Sequence, residues 1–226
     1  MWPSANGPVG PREWRVVRVL AIGAAKGGVA KTTSSLYLAA RAAEALGGQD
    51  NAVALIDRDE SKNLTRLITM RPTLLRPGMC LLAGEELPRP GAHRLVIIDT
   101  PPGLSAIPSL READLVLVPV KPDDQGIGNL VRYLDDIDDQ RIAVSPRMRL
   151  IALLPTLVQR TKLHRVRLGD IATIAAAHEP ALMVLPSVPQ RASIADFQLT
   201  AHEYDEPARE LFDHAHIIKE ATSIPG

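Results

Sequence analysis

The sequence predicts an α/β fold in which helices cover both faces of a mostly parallel β-sheet. Three observations indicate this fold: continuous apolar runs occur along the chain, helical stretches alternate with them, and glycine, aspartate or proline follows most of the runs. Apolar runs without polar alternation are typical of strands buried on both faces, and the alternation with helices is typical of parallel crossover connections. Because ligands bind such sheets at the carboxyl ends of the strands, the polar residues there are candidates for a functional site.

Six apolar segments are the expected strands, and five stretches between or after them have helical composition. The expected strands are 16–23, 52–56, 95–98, 115–120, 150–154 and 183–185. The expected helices are 32–46, 61–69, 126–138, 162–177 and 206–219. Residues 1–14 are rich in proline and glycine and are expected to form a flexible leader, too short for a DNA-reading helix-turn-helix domain. Residues 15–226 are expected to form a single domain.

Composition excludes several classes of protein. The 226 residues contain 26 Lys+Arg and 26 Asp+Glu, so net charge provides no overall attraction to nucleic acid or to anionic lipid. The one cysteine, Cys80, excludes an intrachain disulfide, a four-cysteine metal site and an iron–sulfur cluster held by one chain. No apolar stretch reaches the ~18 residues that cross a bilayer. We therefore expect a cytoplasmic protein without stable membrane insertion.

A glycine-containing loop joins the first expected strand to the first expected helix. Glycines allow backbone N–H groups to turn inward, and a helix N-terminus adds partial positive charge, so this loop is a candidate phosphate site. Lys31 is expected to reach the β- and γ-phosphates and the Thr32 hydroxyl to bind Mg²⁺, which makes ATP and Mg²⁺ the expected cofactors. The candidate nucleotide-binding residues are Gly27, Gly28, Val29, Ala30, Lys31, Thr32 and Thr33.

The pattern K-G-G-x-x-K-[ST], from Lys26 to Thr32, resembles the deviant Walker A loop of the ParA/MinD family of ATPases. The resemblance implies a three-layer P-loop NTPase fold and slow ATP hydrolysis. It also implies that Lys26 reaches into the site of a partner subunit, so that ATP completes a homodimer. Ala30 departs from the family, which has glycine at that position.

Three further segments are similar to the same family in the same order. Residues 55–65 are similar to the segment D-x-D-P-Q-x-N-x-T, although Glu60, Ser61 and Lys62 depart from it, and residues 96–103 match the Walker B stretch. The resemblance implies that Asp57 lies near the metal, that Asp59 orients the attacking water and that Asp99 holds a metal-bound water. In the C-terminal third, Pro189 matches a position that borders the adenine.

The segment 141–167 contains seven basic and no acidic residues. A basic surface without aromatic residues suits duplex phosphates contacted without sequence preference. We predict a DNA-binding surface, with an ordinary solvated helix face as the alternative. Its residues would be Arg160, Lys162, Arg165, Arg167 and Arg191. Together with the resemblance, this surface implies a ParA-type ATPase that partitions a plasmid or chromosome on the nucleoid and is stimulated by a ParB-like centromere-binding protein.

Two other functions within this resemblance remain open. A MinD-like ATPase acting at a membrane uses a basic, amphipathic C-terminal helix, whereas residues 214–226 contain one lysine, one glutamate and no aromatic residue. A metabolic ATP-dependent synthetase on the same fold needs no lysine in trans, so Lys26 disfavours it. A redox iron protein of the family is excluded, because its cluster takes two cysteines from each subunit.

Overall fold

The computed structural model describes residues 18–89, 91–140, 142 and 147–214. The expected leader, Arg141 and the end of the last expected helix lie outside these residues. The described strands are β1 (Arg18–Ile22), β2 (Val53–Asp57), β3 (Met79–Leu81), β4 (Leu95–Asp99), β5 (Leu115–Val120), β6 (Leu150–Pro155) and β7 (Met183–Val184). They form one parallel sheet in the order β3-β2-β4-β1-β5-β6-β7, which confirms the predicted fold class.

Five of the seven described helices agree with the expected ones to within a few residues at their described ends, whereas the short helices at 107–112 and 192–195 were not expected. The seven are α1 (Lys31–Ala45), α2 (Asn63–Met70), α3 (Ile107–Glu112), α4 (Asp124–Asp139), α5 (Lys162–Ala177), α6 (Ala192–Ala195) and α7 (Asp205–His214). Two of them begin at side-chain caps: Asp123 accepts from the Gly126 N–H, and Thr161 accepts from the His164 N–H. These caps satisfy backbone donors that the first turn of a helix leaves unpaired. None of the helices in the described ranges has the length and hydropathy needed to cross a membrane.

Two apolar cores lie on opposite faces of the sheet, as alternation along each strand requires. In β1, Leu20 and Ile22 join the core that contains α1 and α7, whereas Val19 and Ala21 join the core that contains residues of α3, α4 and α5. The molecule therefore has three layers, helix–sheet–helix. Such a sheet exposes its polar strand ends at one edge, where a ligand has room to bind.

The strand order brings three chain segments together at that edge. β1 lies between β4 and β5, so the loop leaving β1 emerges at the centre of the sheet. The last residues of β1, β2 and β4 are neighbours, because Asp57 is in register with Asp99 and Ile22 is also in register with Asp99. The two carboxylates that follow apolar strands in the sequence therefore end beside the glycine-containing loop.

Candidate functional site

The loop between β1 and α1 needs small residues for two different reasons. A Cβ at Gly23 would lie 2.4 Å from the Tyr133 hydroxyl, so a side chain has no room there. Gly28 has φ +84° with open space around it, so its requirement is conformational. Ala30 also adopts the left-handed region, with φ 69° and ψ 31°. Alanine in this conformation costs about 1–2 kcal/mol, which gives a physical reason why glycine is the usual residue at this position.

Hydrogen bonds join this loop to β5 and to the segments that follow β4 and β6. The Gly23 N–H donates to the Leu117 carbonyl of β5 over 3.0 Å. The Gly103 N–H, just after the Asp99 stretch, donates to the Ala24 carbonyl over 2.8 Å. The Thr156 hydroxyl, just after β6, donates to the Val29 carbonyl over 3.1 Å. These hydrogen bonds hold the loop in a defined conformation. A structural change in the segment after β4 or after β6 would therefore act on the loop directly.

The two lysines of the loop occupy different environments. Lys31, at the start of α1, is buried; its ammonium charge helps to lower the pKa of Asp59 and opposes the burial that raises the pKa of Asp99. Lys26 is exposed at the open side of the loop, as are Gly27 and Gly28. Val29, Ala30, Thr32 and Thr33 are partly buried. One lysine thus faces the carboxylates of its own chain while the other points into solvent.

Asp99 is the most enclosed carboxylate of the site. It is 1% exposed, and its Oδ2 accepts a 2.6 Å hydrogen bond from the Thr32 hydroxyl. Its Oδ1 lies 3.3 Å from the Ser35 hydroxyl, which donates to it. Burial raises the pKa of Asp99 to about 6, although the Thr32 hydrogen bond and the Lys31 charge act in the opposite direction. A further cation close to Asp99 would therefore stabilise the ionised form of its carboxyl group.

The donor atoms around Asp99 fit a magnesium ion. Mg²⁺ prefers oxygen ligands and normally takes only one or two from protein, with phosphates and waters completing its octahedron. Thr32 and Asp99 supply a hydroxyl and a carboxylate oxygen side by side. Within the described ranges no cluster of three or more His, Cys, Asp or Glu forms a self-sufficient metal site. The arrangement therefore suits an ion that arrives with a nucleotide.

Asp57 is held by its own chain. Its Oδ2 accepts from the Thr65 N–H over 2.8 Å and from the Thr65 hydroxyl over 2.9 Å. Its Oδ1 accepts from the Asp59 N–H over 3.2 Å. The side chain is 5% exposed and connects the end of β2 to the first turn of α2. Its proximity to the metal remains a prediction; what the contacts establish is that it fixes the backbone leading to Asp59.

Asp59 carries a hydrogen-bonding pattern that sequence reasoning missed. Its Oδ1 accepts from both the N–H of Ser61, over 2.9 Å, and the Ser61 hydroxyl, over 2.6 Å. Partial burial raises the pKa of Asp59, but the Ser61 hydrogen bonds and the charges of Lys31 and Lys62 outweigh it and lower the pKa below its usual value. Asp59 is therefore ionised at neutral pH. The only sequence signal for Ser61 was its departure from the D-x-D-P-Q pattern.

Two basic residues brace this strand-end loop, and sequence reasoning missed both. The Arg58 guanidinium donates to the Glu85 carbonyl, to the Ser109 hydroxyl and to Glu112, over 2.8, 3.1 and 2.8 Å. Lys62 has φ 50°, and its Nζ donates to the Asp57 carbonyl and to Glu85, each over 2.8 Å. Arg58 also borders an open cleft of about 500 Å³ between residues 85–87 and α3.

Pro189 lies beside the segment that follows β6. It forms an isolated parallel bridge with Val158, and the Gln190 N–H donates to the Val158 carbonyl over 2.9 Å. That segment begins at Thr156, which donates to Val29 of the loop between β1 and α1. Pro189 is therefore connected, through residues 156–158, to the same edge of the sheet as the loop.

The predicted basic residues are not equivalent. Lys162 and Arg165 are exposed in the first turn of α5, and Arg160 is exposed two residues before that helix; none of the three forms an ion pair with any residue in the described ranges. Arg167 is paired with both Asp124 and Asp170 over 2.6 Å. Arg191 is 54% exposed and lies 3.8 Å from Glu203. Three uncompensated cations thus lie close together in the sequence around the start of α5, whereas the other two have acidic neighbours.

Comparison with known proteins identifies a family and a relative that this chain resembles in sequence. Residues 20–202 match the family described as the CobQ/CobB/MinD/ParA nucleotide binding domain. The chain is 30% identical over 179 residues to the chromosome-partitioning ATPase Soj of Thermus thermophilus, an alignment that covers 62% of this chain and 70% of Soj.

Two solved structures extend the comparison. An ATP complex of Cyanothece McdA has a TM-score of 0.70 at 17% identity, covering 89% of this chain and 97% of McdA. Cobyrinic acid a,c-diamide synthase from Mycobacterium smegmatis, solved with an ATP analogue and magnesium, has a TM-score of 0.64 at 28% identity, covering 89% of this chain and 96% of the synthase. The likeness to McdA establishes the fold alone.

Proposed function

The chain belongs to the CobQ/CobB/MinD/ParA family and is an ATPase that uses ATP and Mg²⁺, and on this premise we propose that it partitions DNA as a nucleotide-dependent homodimer. A ParB-like centromere-binding protein would stimulate its hydrolysis, and ATP-bound dimers would act on the nucleoid in the cytoplasm. The observation that carries the proposal is the pairing of a buried Lys31 with an exposed Lys26 in one phosphate loop. The similarity to Soj supports the same conclusion.

Within one subunit, the residues around the loop have distinct tasks. Lys31, beside Asp59 and Asp99, would bind the β- and γ-phosphates. Thr32 and Asp99 would hold Mg²⁺, which when bound neutralises charge on the phosphates. Asp59 would orient the attacking water rather than remove its proton, because a carboxylate with a lowered pKa is a weak base. Gly27, Gly28, Val29, Ala30 and Thr33 would line the phosphates, and Pro189 would border the adenine.

The homodimer is supported by the position of Lys26. An ammonium group on the open side of the loop is free to reach a phosphate bound to a second copy, as an arginine finger supplied in trans does. Because a cation that arrives only on dimerisation completes the charge around the γ-phosphate, hydrolysis would be slow in the monomer.

DNA binding is supported by the cluster of Arg160, Lys162 and Arg165. Its members are exposed and have no acidic partner within the described residues, so their charges are available to duplex phosphates. Arg167 and Arg191 belong to the proposed surface as lesser contributors, because nearby carboxylates compensate their charge. Such a surface would bind without sequence preference.

The proposed DNA binding is tested by measuring affinity for random duplex against salt, with and without Mg-ATP. We expect log K to fall linearly with log salt, and a triple alanine variant of Arg160, Lys162 and Arg165 to reduce the slope by about 0.9 per lost phosphate contact. A triple alanine variant of Arg66, Arg76 and Arg89, which are exposed in the part of the chain between β2 and β4, is the matched control for charge. A slope near zero, or equal losses in both triple variants, would exclude this surface.

An ATP-dependent synthetase is the second candidate function. It is favoured by the 28% identity to cobyrinic acid a,c-diamide synthase and by the 500 Å³ cleft beside Arg58, which a small co-substrate could enter. Measuring ATP turnover separately with random duplex DNA and with small carboxylic acids plus an amine source discriminates the two. Stimulation by DNA together with a partner protein supports partitioning, whereas stimulation by a carboxylic acid supports the synthetase.

A further inference from the structure

The two oxygens of the Asp59 carboxylate are held differently. Oδ1 accepts both the N–H and the hydroxyl of Ser61, over 2.9 and 2.6 Å. Among the described residues, none donates a hydrogen bond to Oδ2. Two donors at these distances occupy the in-plane lone pairs of Oδ1, so Oδ2 is the oxygen left for a ligand or a water.

The segment that contains Ser61 is itself fixed on both sides. The Asp59 N–H donates to the Asp57 carboxylate, and the Lys62 N–H donates to the Asp59 carbonyl over 2.9 Å. The Lys62 ammonium then joins the Asp57 carbonyl to Glu85. Because Ser61 lies between these anchors, its hydroxyl has a defined direction, and a rigid support is what a group that orients a substrate needs.

The charges near Asp59 relate its carboxylate to the proposed phosphate site. Lys31, the phosphate-binding lysine of the proposed site, and Lys62 both act electrostatically on this carboxylate. Ser61 therefore holds a carboxylate that lies within electrostatic range of the phosphate end of a nucleotide. The hydroxyl itself has no hydrogen bond to the phosphate loop in the described residues.

We propose that Ser61 is a positioning residue, which ties up Oδ1 of Asp59 so that Oδ2 alone holds the attacking water of ATP hydrolysis. The inference rests on the proposed function, in which Asp59 orients that water. A carboxylate without such a tie can present either oxygen and can turn about its Cβ–Cγ bond. Fixing one oxygen removes unproductive water positions, and small misplacements of a reacting group are costly in rate.

The test compares Ser61→Ala with Ser61→Thr in the full chain. The alanine removes the 2.6 Å hydroxyl bond and keeps the N–H, whereas threonine keeps both donors. We expect Ser61→Ala to lower kcat about tenfold, with Kd for Mg-ATP within about twofold of the parent, and Ser61→Thr to restore most of the loss. Thr69→Ala, which removes an exposed α2 hydroxyl bonded to the Thr65 carbonyl, is the control and should leave both constants unchanged.

Combining Ser61→Ala with Asp59→Ala distinguishes the role of Ser61 from that of Asp59. If Asp59→Ala leaves a slow residual hydrolysis and adding Ser61→Ala lowers that residual rate no further, Ser61 acts through Asp59 as proposed. If Asp59→Ala abolishes hydrolysis but Ser61→Ala turns over normally, the positioning role is wrong and the proposed function stands. If Asp59→Ala hydrolyses ATP at the parental rate, the assignment of Asp59 itself is wrong. A change in Kd alone, or a loss that threonine does not restore, also overturns the proposal.

Discussion

Thr32 and Asp99 are 67 residues apart in the sequence, yet the Thr32 hydroxyl donates a 2.6 Å hydrogen bond to Asp99 Oδ2. The contact follows from the sheet, because β4 is the parallel neighbour of β1 and Asp99 ends β4 beside the loop that leaves β1. It places a hydroxyl and a carboxylate oxygen side by side, an arrangement that suits a nucleotide-bound Mg²⁺.

The first prediction concerns Lys31. Replacing Lys31 with alanine removes the buried ammonium that lies beside Asp59 and Asp99. Two carboxylates would then face the phosphates without compensation, so we expect Mg-ATP binding to be lost, measured by titration calorimetry. Circular dichroism of the variant serves as the folding control. Parental affinity in a folded Lys31→Ala protein would contradict the assignment.

The second prediction concerns Lys26, which is exposed and makes no contribution to its own chain's core. Lys26→Ala should bind Mg-ATP with an affinity within about threefold of the parent, because the phosphate loop keeps its backbone donors and Lys31. It should fail to form the ATP-dependent dimer or to hydrolyse ATP within it. Light-scattering mass and turnover are measured on the same sample, and full turnover would exclude a role in trans.

The third prediction concerns Asp99, whose pKa burial raises to about 6. A carboxyl whose folded pKa lies above its unfolded value favours folding most when protonated, and that contribution is lost as pH rises through about 6. At pH 7.5 without Mg²⁺, the free energy of unfolding of Asp99→Asn should therefore equal that of the parent protein or exceed it by up to about 3 kcal/mol. The variant should not hydrolyse ATP. The stability gain should shrink at pH 4.5, measured by urea unfolding at both pH values; a gain that grows on acidification would contradict it.

The fourth prediction concerns Ala30, which adopts φ 69°. Ala30→Gly should raise the free energy of unfolding by about 1 kcal/mol, because glycine has no Cβ to oppose the left-handed conformation. Ala176→Gly, at an exposed position of α5, is the matched control and should lower it by about 1 kcal/mol. Urea unfolding of both variants is the measurement. Equal destabilisation by the two glycines would show that Ala30 carries no backbone strain.

Most of the sheet could be predicted because its strands are long and apolar. β1, β2, β4, β5 and β6 are five or six residues long and largely buried, so their runs stand out in the sequence. β3 was missed because it is an edge strand of three residues, two of them only partly buried. α3 was missed because it has six residues and follows a Pro-Pro-Gly segment that resembles a loop.

The sequence by itself determined the glycine-containing loop that is the candidate phosphate site, the order of the carboxylates and the basic segment, because each depends on neighbours along the chain. Only the tertiary structure decided which charges are compensated: Arg167 is paired by Asp124 of α4, 43 residues away, while Arg160 stays uncompensated. It also decided that Arg58 braces α3 through Ser109 and Glu112. The reason is physical: long polar side chains find their partners across helices and loops, at separations that no local pattern encodes.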